Sequence, residues 1–273
     1  MPGRFAKGID AIRIMKQATL NYSVDEVRVI ATSVLRDASN GKEFCDKVRE
    51  LTEWDVQIIS GDQEAEWIHS GVAMTTIGVP NRHLIMDIGG GSLEFIIAER
   101  EKPNGKSEIL WKQSFDAGVA RLEDFGKPQD PMGHQGAERY KPFLDFTLSP
   151  LCQALNRYKP LVLIGASGSF DTFLDLVRGG GEPKGDLQPN EGRERVEIID
   201  RDVLEKVHET LLVSNLQTRL LMPGMSPPRA QMIPLASLLI QTVLRWMPKT
   251  TTLMRSPFAL REGVLAEMLN RPR

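Results

Sequence analysis

A two-domain α/β protein is what the sequence predicts, and three observations predict it. The first third alternates helix-period and strand-period apolar patterns, and the middle switches to strand-like runs joined by short turns. The length, 273 residues, exceeds what one modest core usually fills. Composition agrees, since 41% hydrophobic and 26% charged residues make an ordinary globular mixture and leave no case for a disordered chain or a coiled coil.

The elements follow in order. Ile9, Ile12, Met15, Ala18 and Leu20 recur at helical spacing, and "VRVIATS" after them is a β-branched run, so a helix precedes a strand. "LRDASNGKEFCDKVRELTEW" reads as a loop and helix with Ser39 or Asn40 as N-cap, and "DVQIIS" as a short buried strand. "GDQEAEWIHSGVAM" is a helix with Asp62 and Glu64 in its first turn, and Pro80 and Asn81 mark a turn. Beyond it, "HLIMDI", "LEFIIAE" and "EILWKQSFDAG" predict an antiparallel meander. A helical stretch over about 136–158 precedes "PLVLIGASGSFDTFLDLV", a buried strand, a small-residue turn and a helix. "RGGGEPKGDLQPNEGRER" is polar and rich in glycine and proline, hence a surface loop. "DRDVLEKVHETLL" is a helix capped by Asp200 or Asp202, and "SPPRAQMIPLASLLIQTVLRW" a mostly buried helix broken near Pro234. "TTLMRSPFALREGVLAEML" closes the pattern as strand, loop and helix. The expected domains are 1–80 and 81–258, with the helix of 259–273 packing back on the first.

The net charge of −2 offers no global field for nucleic acid or an anionic membrane, so neither is an expected partner and any anion would be held locally. Cys45 and Cys152 form no C-x-x-C pattern and read as structural thiols of a reducing compartment. With no signal-peptide pattern and no membrane-length apolar run, a cytoplasmic protein is expected.

Candidate chemistry centres on "LIMDIGGGSLEFIIAE". Asp87 stands at a strand end, and Gly89, Gly90 and Gly91 could turn with positive φ and aim several N–H groups at one point, a nest suited to phosphate. Asp87 cannot bind phosphate directly; a carboxylate beside such a cradle holds a divalent cation or orients a water. The competing reading is a hairpin turn that happens to use glycines. In "IGASGSF", Gly165, Ser167, Gly168 and Ser169 lie between a strand and a helix, where backbone and hydroxyl groups meet anions. The full dinucleotide fingerprint is absent there, and no Walker A pattern occurs anywhere. Glu64 either has a catalytic role or, with Asp62, is an acidic first turn matched to the helix dipole. Arg36, Arg121 and Arg229 are candidate bidentate clamps, or solvated surface. His69, His83, His134 and His208 form no metal-spaced pair and read as structural or exposed.

Six segments, "ATSVLRDASNGKEF", "IISGDQEAEWIHSGV", "MDIGGGSLEF", "DAGVARLEDF", "GASGSFDT" and "LREGVLAEML", together resemble the exopolyphosphatase/guanosine pentaphosphate phosphohydrolase family in order and spacing, over about residues 8–270. The resemblance implies an actin-like fold of two ribonuclease-H-like domains, and hydrolysis of inorganic polyphosphate or guanosine pentaphosphate with magnesium. It implies that Glu64 activates water, that Asp87 binds magnesium, that Gly89, Gly90, Gly91 and Ser92 grip phosphate, and that Arg36 contacts it. Glu94 matches the acid after the glycine loop. Two departures accompany it. Gln231 stands in "RAQ" where the family has an aspartate, and nothing upstream of Gly8 matches the family's first phosphate loop, D-x-G-[ST]-N. A first domain shortened at its N-terminus is therefore expected. A non-catalytic polyphosphate or nucleotide sensor of the same fold is the alternative, an actin-like sugar kinase a more distant one, and a homodimer is one arrangement left open.

Overall fold

The computed structural model describes residues 2–76, 82–100, 105–179 and 195–270. The chain forms two compact units, Met1–Glu64 and Ala65–Arg273.

In the first unit, helix α1 (Pro2–Thr19) is followed by strand β1 (Val29–Ala31), the short α2 (Ser33–Arg36), α3 (Gly41–Thr52), strand β2 (Val56–Ile58) and the start of α4 (Gly61–Ala73). β1 and β2 pair in parallel, Val29 opposite Val56 and Ala31 opposite Ile58. Ile9, Ala31, Val48 and Ile59 are its buried apolar residues. Gly8 lets the Phe44 ring approach α1, because a Cβ there would meet the ring at 2.8 Å. Asn40 occupies the expected cap position of α3, although its side chain makes no capping bond. The expectation of a buried β2 is corrected: Gln57 and Ile58 are exposed and Val56 is half-buried. Among the described residues the strand pairs only with β1, so no larger sheet surrounds its apolar side chains.

The second unit is built on a six-stranded mixed sheet. Strands β3 (Arg82–Ile88), β4 (Leu93–Arg100) and β5 (Ser107–Phe115) form the predicted meander. Helices α5 (Val119–Gly126), α6 (Gly133–Glu138), α7 (Lys141–Thr147) and α8 (Ser149–Tyr158) lead to β6 (Val162–Ala166) and α9 (Gly168–Val177). A strand not foreseen, β7 (Glu197–Ile199), then precedes α10 (Arg201–Val213), α11 (Leu216–Leu220), α12 (Pro227–Trp246), β8 (Thr252–Arg255) and α13 (Leu260–Leu269). The order is β5-β4-β3-β6-β8-β7, with β3, β6 and β8 parallel and both ends antiparallel. Asp200 caps α10, accepting from the Val203 N–H at 3.0 Å. Most of the predicted glycine-rich loop after α9, and the turn at Pro80 and Asn81, lie outside the described residues.

Strand alternation divides the core in two. Leu84, Met86, Ile88, Leu93, Phe95, Ile97 and Leu163 face a large cluster completed by α5 to α12. Ile85, Ile96, Ala98, Val162, Ile164 and Ala166 face the other way, onto Ala65, Ile68 and Val72 of α4. By the same alternation Asp87 and Glu94 project on the α4 side.

The predicted break at Pro234 is absent, and α12 runs through it as one 20-residue helix. Proline lacks the N–H that would bond the carbonyl of Ala230. That carbonyl instead accepts from Nε of the buried Arg219 at 2.6 Å, while the same guanidinium bonds the Ser214 carbonyl and, at 2.8 Å, Asp130. A side chain from α11 thus supplies the missing donor. Among the described residues, no helix is long and apolar enough to cross a membrane.

Candidate active site

β3 and β6 are adjacent and parallel, and both end at the same edge of the sheet, the place where open α/β sheets gather ligands. A cavity of about 350 Å³ lies there. Asp87, Gly89, Gly90, Ser167, Gly168, Ser169 and Arg229 line its polar side, and Val119, Met232 and Ile233 are among its apolar lining. The two small-residue turns, far apart in sequence, therefore meet.

The glycine loop is tied to the start of α5. The carbonyls of Gly89, Gly90 and Gly91 accept from the N–H groups of Val119 (3.1 Å), Ala120 (2.9 Å) and Gly118 (3.3 Å). A trans peptide points its carbonyl and the following N–H in opposite directions, so the N–H groups of Gly90, Gly91 and Ser92 face away from α5. The expected positive φ is corrected: the described glycines that adopt it are Gly133, Gly179 and Gly224, none in this loop. Close approach instead requires glycine at Gly89 and at Gly118, where α5 begins, whereas a Cβ at Gly90 would meet nothing within 4 Å. A Cβ at Gly89 would meet the Ser92 carbonyl at 2.9 Å, and one at Gly118 would meet Gly90 O at 2.4 Å.

Asp87 and Glu94 are register partners across β3 and β4, both buried. Burial first, and the charge of Glu94 in addition, push the Asp87 carboxyl up to about 7 from 3.8. The Ser167 hydroxyl, buried without a full hydrogen bond, holds it partly down. Ser114 donates to Glu94 at 2.9 Å. Ser167 itself has φ 69° and ψ 174°, a backbone region open essentially to glycine, which costs about 1–3 kcal/mol. The sequence gives no hint of that strain.

Arg229 reaches the cavity from the first turn of α12. Its guanidinium lies over Gly168, where a Cβ would stand 1.8 Å from Nη2. No ion pair engages it among the described residues, so its charge is available to an anion. Arg121 does not reach the cavity and braces the loop instead, its Nε donating to the Gly91 carbonyl at 2.7 Å and its Nη2 lying 3.5 Å from Asp116. Gly165 stands apart from the cavity wall, in β6, where a Cβ would fall 1.9 Å from the Phe170 ring. Ser92 is buried and accepts from Gly89 N–H at 3.0 Å through its carbonyl.

In the first unit, Arg36 and Glu64 are neighbours. Nη1 of Arg36 lies 3.8 Å from Glu64 Oε2 and donates to the Ile59 carbonyl at 2.8 Å. Glu64 is buried, in the first turn of α4. Of the histidines, His69 and His208 are buried against Ser107 (2.8 Å) and Ser237 (2.7 Å).

The Ppx/GppA phosphatase family model matches residues 2–272. The guanosine-5'-triphosphate,3'-diphosphate pyrophosphatase of Vibrio vulnificus is 25% identical over 267 residues, covering 97% of this chain and 49% of that protein, so the chain spans about half the length of this curated relative. Among solved structures, an exopolyphosphatase from Cytophaga hutchinsonii aligns with a TM-score of 0.88 at 32% identity, over 97% of this chain and 82% of that one. The Ppx/GppA enzyme of Aquifex aeolicus, at 22% identity and a TM-score of 0.74 over 98% and 83%, shares the fold. The α/β fold implied by the resemblance is the fold of this chain, shared with the Cytophaga hutchinsonii exopolyphosphatase.

Proposed function

Because the chain belongs to the Ppx/GppA phosphatase family, we propose that it is a phosphoanhydride hydrolase releasing terminal phosphate from inorganic polyphosphate or guanosine pentaphosphate. The observation that carries this reading is the buried Asp87–Glu94 pair, with Asp87 on a cavity that Gly89, Gly90, Ser167, Gly168, Ser169 and Arg229 also line.

Magnesium fits these residues. Two hard carboxylates share one face, and a divalent cation would relieve the burial and repulsion that raise the Asp87 carboxyl. Among the described residues no group of three or more His, Cys, Asp or Glu gathers to hold a metal. A two-carboxylate site suits an ion that keeps waters and takes phosphate oxygens as further ligands. Bound there, magnesium would neutralise charge on the phosphoryl oxygens.

The protein's own residues supply the rest. Glu64 accepts a proton from the attacking water as its oxygen bonds to the terminal phosphorus, and the bridging P–O bond breaks in line, the remaining chain leaving with the electron pair. Arg36, beside the Glu64 carboxylate, offers a contact to phosphate. The N–H groups of Gly90 to Ser92, the α9 N-terminus with Ser167 and Ser169, and Arg229 bind the equatorial oxygens, where charge develops.

The test is phosphate release from polyphosphate and from guanosine pentaphosphate by the purified protein and by Glu64→Gln. A loss of at least about a hundredfold is expected, the scale of a removed general base. Equal rates would remove Glu64 from the mechanism, and binding without release would favour a sensor.

A further inference from the structure

We propose that the segment Ser256–Glu267 is a positioning clamp for α4, and through that helix for the Glu64 carboxylate; this rests on the reading of Glu64 as the base. Trp67, Gly71 and Thr75 recur every four residues and so form one stripe along α4 and the turn that follows it. Each is engaged from the C-terminal segment. Trp67 donates its indole N–H to Glu267. Gly71 lies directly beneath the Ala259 carbonyl, where a Cβ would come within 2.0 Å of the oxygen. Thr75 and Ser256 share a hydroxyl hydrogen bond of 3.0 Å.

The contact is reciprocal. A Cβ at Gly263 of α13 would stand 1.8 Å from the Trp67 carbonyl oxygen. Two helices that touch backbone to backbone have no side chain between them to yield, so the crossing tolerates little displacement. Glu262 accepts from the Ala259 N–H at 2.9 Å and holds the start of α13 where it meets Gly71. Glu64 lies three residues before Trp67 on the same stripe, one turn beyond the last clamped position. General-base catalysis depends steeply on distance, a misplacement of about 1 Å costing up to roughly a hundredfold. The clamp acts on the position of the base and leaves the anion cradle of the other turns untouched.

The experiment measures kcat and KM for inorganic polyphosphate with magnesium, for the full chain and for Gly263→Ala and Trp67→Phe, each also in a Glu64→Gln background. Gly263→Ala drives a methyl into a backbone carbonyl; Trp67→Phe is milder, keeping an aromatic ring and removing the donor, so one variant remains if the other does not fold. Expected is a fall in kcat of roughly tenfold for Gly263→Ala and about threefold for Trp67→Phe, with KM within about twofold of wild type. In the Glu64→Gln background neither should lower the residual rate further, because the group they position is gone. Glu267→Gln, which keeps an acceptor for the indole, should retain the rate, whereas Glu267→Leu should match Trp67→Phe. Unchanged kcat in both single variants, or the same fold loss with and without Glu64, overturns the clamp while leaving the hydrolase reading intact. A Glu64→Gln protein as fast as wild type overturns the hydrolase reading of Glu64, and the clamp falls with it.

Discussion

Asp87→Asn should make the metal-free protein more stable at alkaline pH. The folded Asp87 carboxyl titrates at about 7, against 3.8 in an unperturbed chain. Between those values the folded protein keeps a proton that the unfolded chain has released, so stability falls as pH rises from about 4 to about 7 and is flat above. Each unit is worth about 1.4 kcal/mol, and the two units or so between pH 5 and 7 amount to about 3 kcal/mol. His69 titrates nearby with the opposite sign. Burial and Arg100 lower it to about 4 from 6.5, so the unfolded chain binds the extra proton and stability rises with pH over that window. The useful quantity is therefore the difference between wild type and Asp87→Asn, in which the His69 contribution cancels. Urea unfolding with chelator present, at pH 5 and pH 8, should show Asp87→Asn gaining about 3 kcal/mol on wild type between the two. Magnesium should then stabilise wild type at pH 8 and leave the variant unmoved. Parallel stability curves for the two proteins across that range would refute the argument that burial beside Glu94 holds the Asp87 carboxyl protonated.

Gly168→Ala should cost under about 1 kcal/mol in urea unfolding, since the methyl meets only the flexible end of Arg229, yet raise KM about tenfold by displacing that guanidinium from the cradle. Arg229→Lys should not restore affinity fully, because a point charge replaces a planar fork. Arg219→Ala should destabilise by about 3 kcal/mol, leaving two carbonyls and Asp130 without their shared donor; adding Pro234→Ala should return about 1 kcal/mol by restoring a helical N–H to the Ala230 carbonyl.

Local features were the most legible in the sequence. The meander, the helix carrying Glu64 and the Asp200 cap follow from patterns a few residues long. The pairing of Asp87 with Glu94 was legible in principle, since a hairpin centred on the glycines sets residues 87 and 94 opposite each other once the register is known. Arg229 is a candidate clamp in the sequence alongside Arg36 and Arg121, but which of them lines the cavity was not legible, because α12 lies some sixty residues beyond Gly168 and only tertiary packing brings its first turn there. β7 escaped notice because a three-residue strand carries too little pattern to stand out beside a polar loop. Three adjacent glycines suggest left-handed backbone, whereas the fold needs a missing side chain at Gly89, against the Ser92 carbonyl, and at Gly118, where α5 meets the loop. The break predicted at Pro234 failed because a local rule was answered by a residue fifteen positions earlier.

Arg219 and Pro234 therefore act as a single structural unit. A proline at 234 is tolerated only while a donor arrives from residue 219, and a bare Arg219 beside an ordinary helix would compete with the backbone for the same carbonyl. Change at either position alone passes through a poorer intermediate, so the two should drift together or not at all. What looks like a helix breaker in the primary structure is one half of a two-residue arrangement, and any redesign of α12 must treat both halves as one.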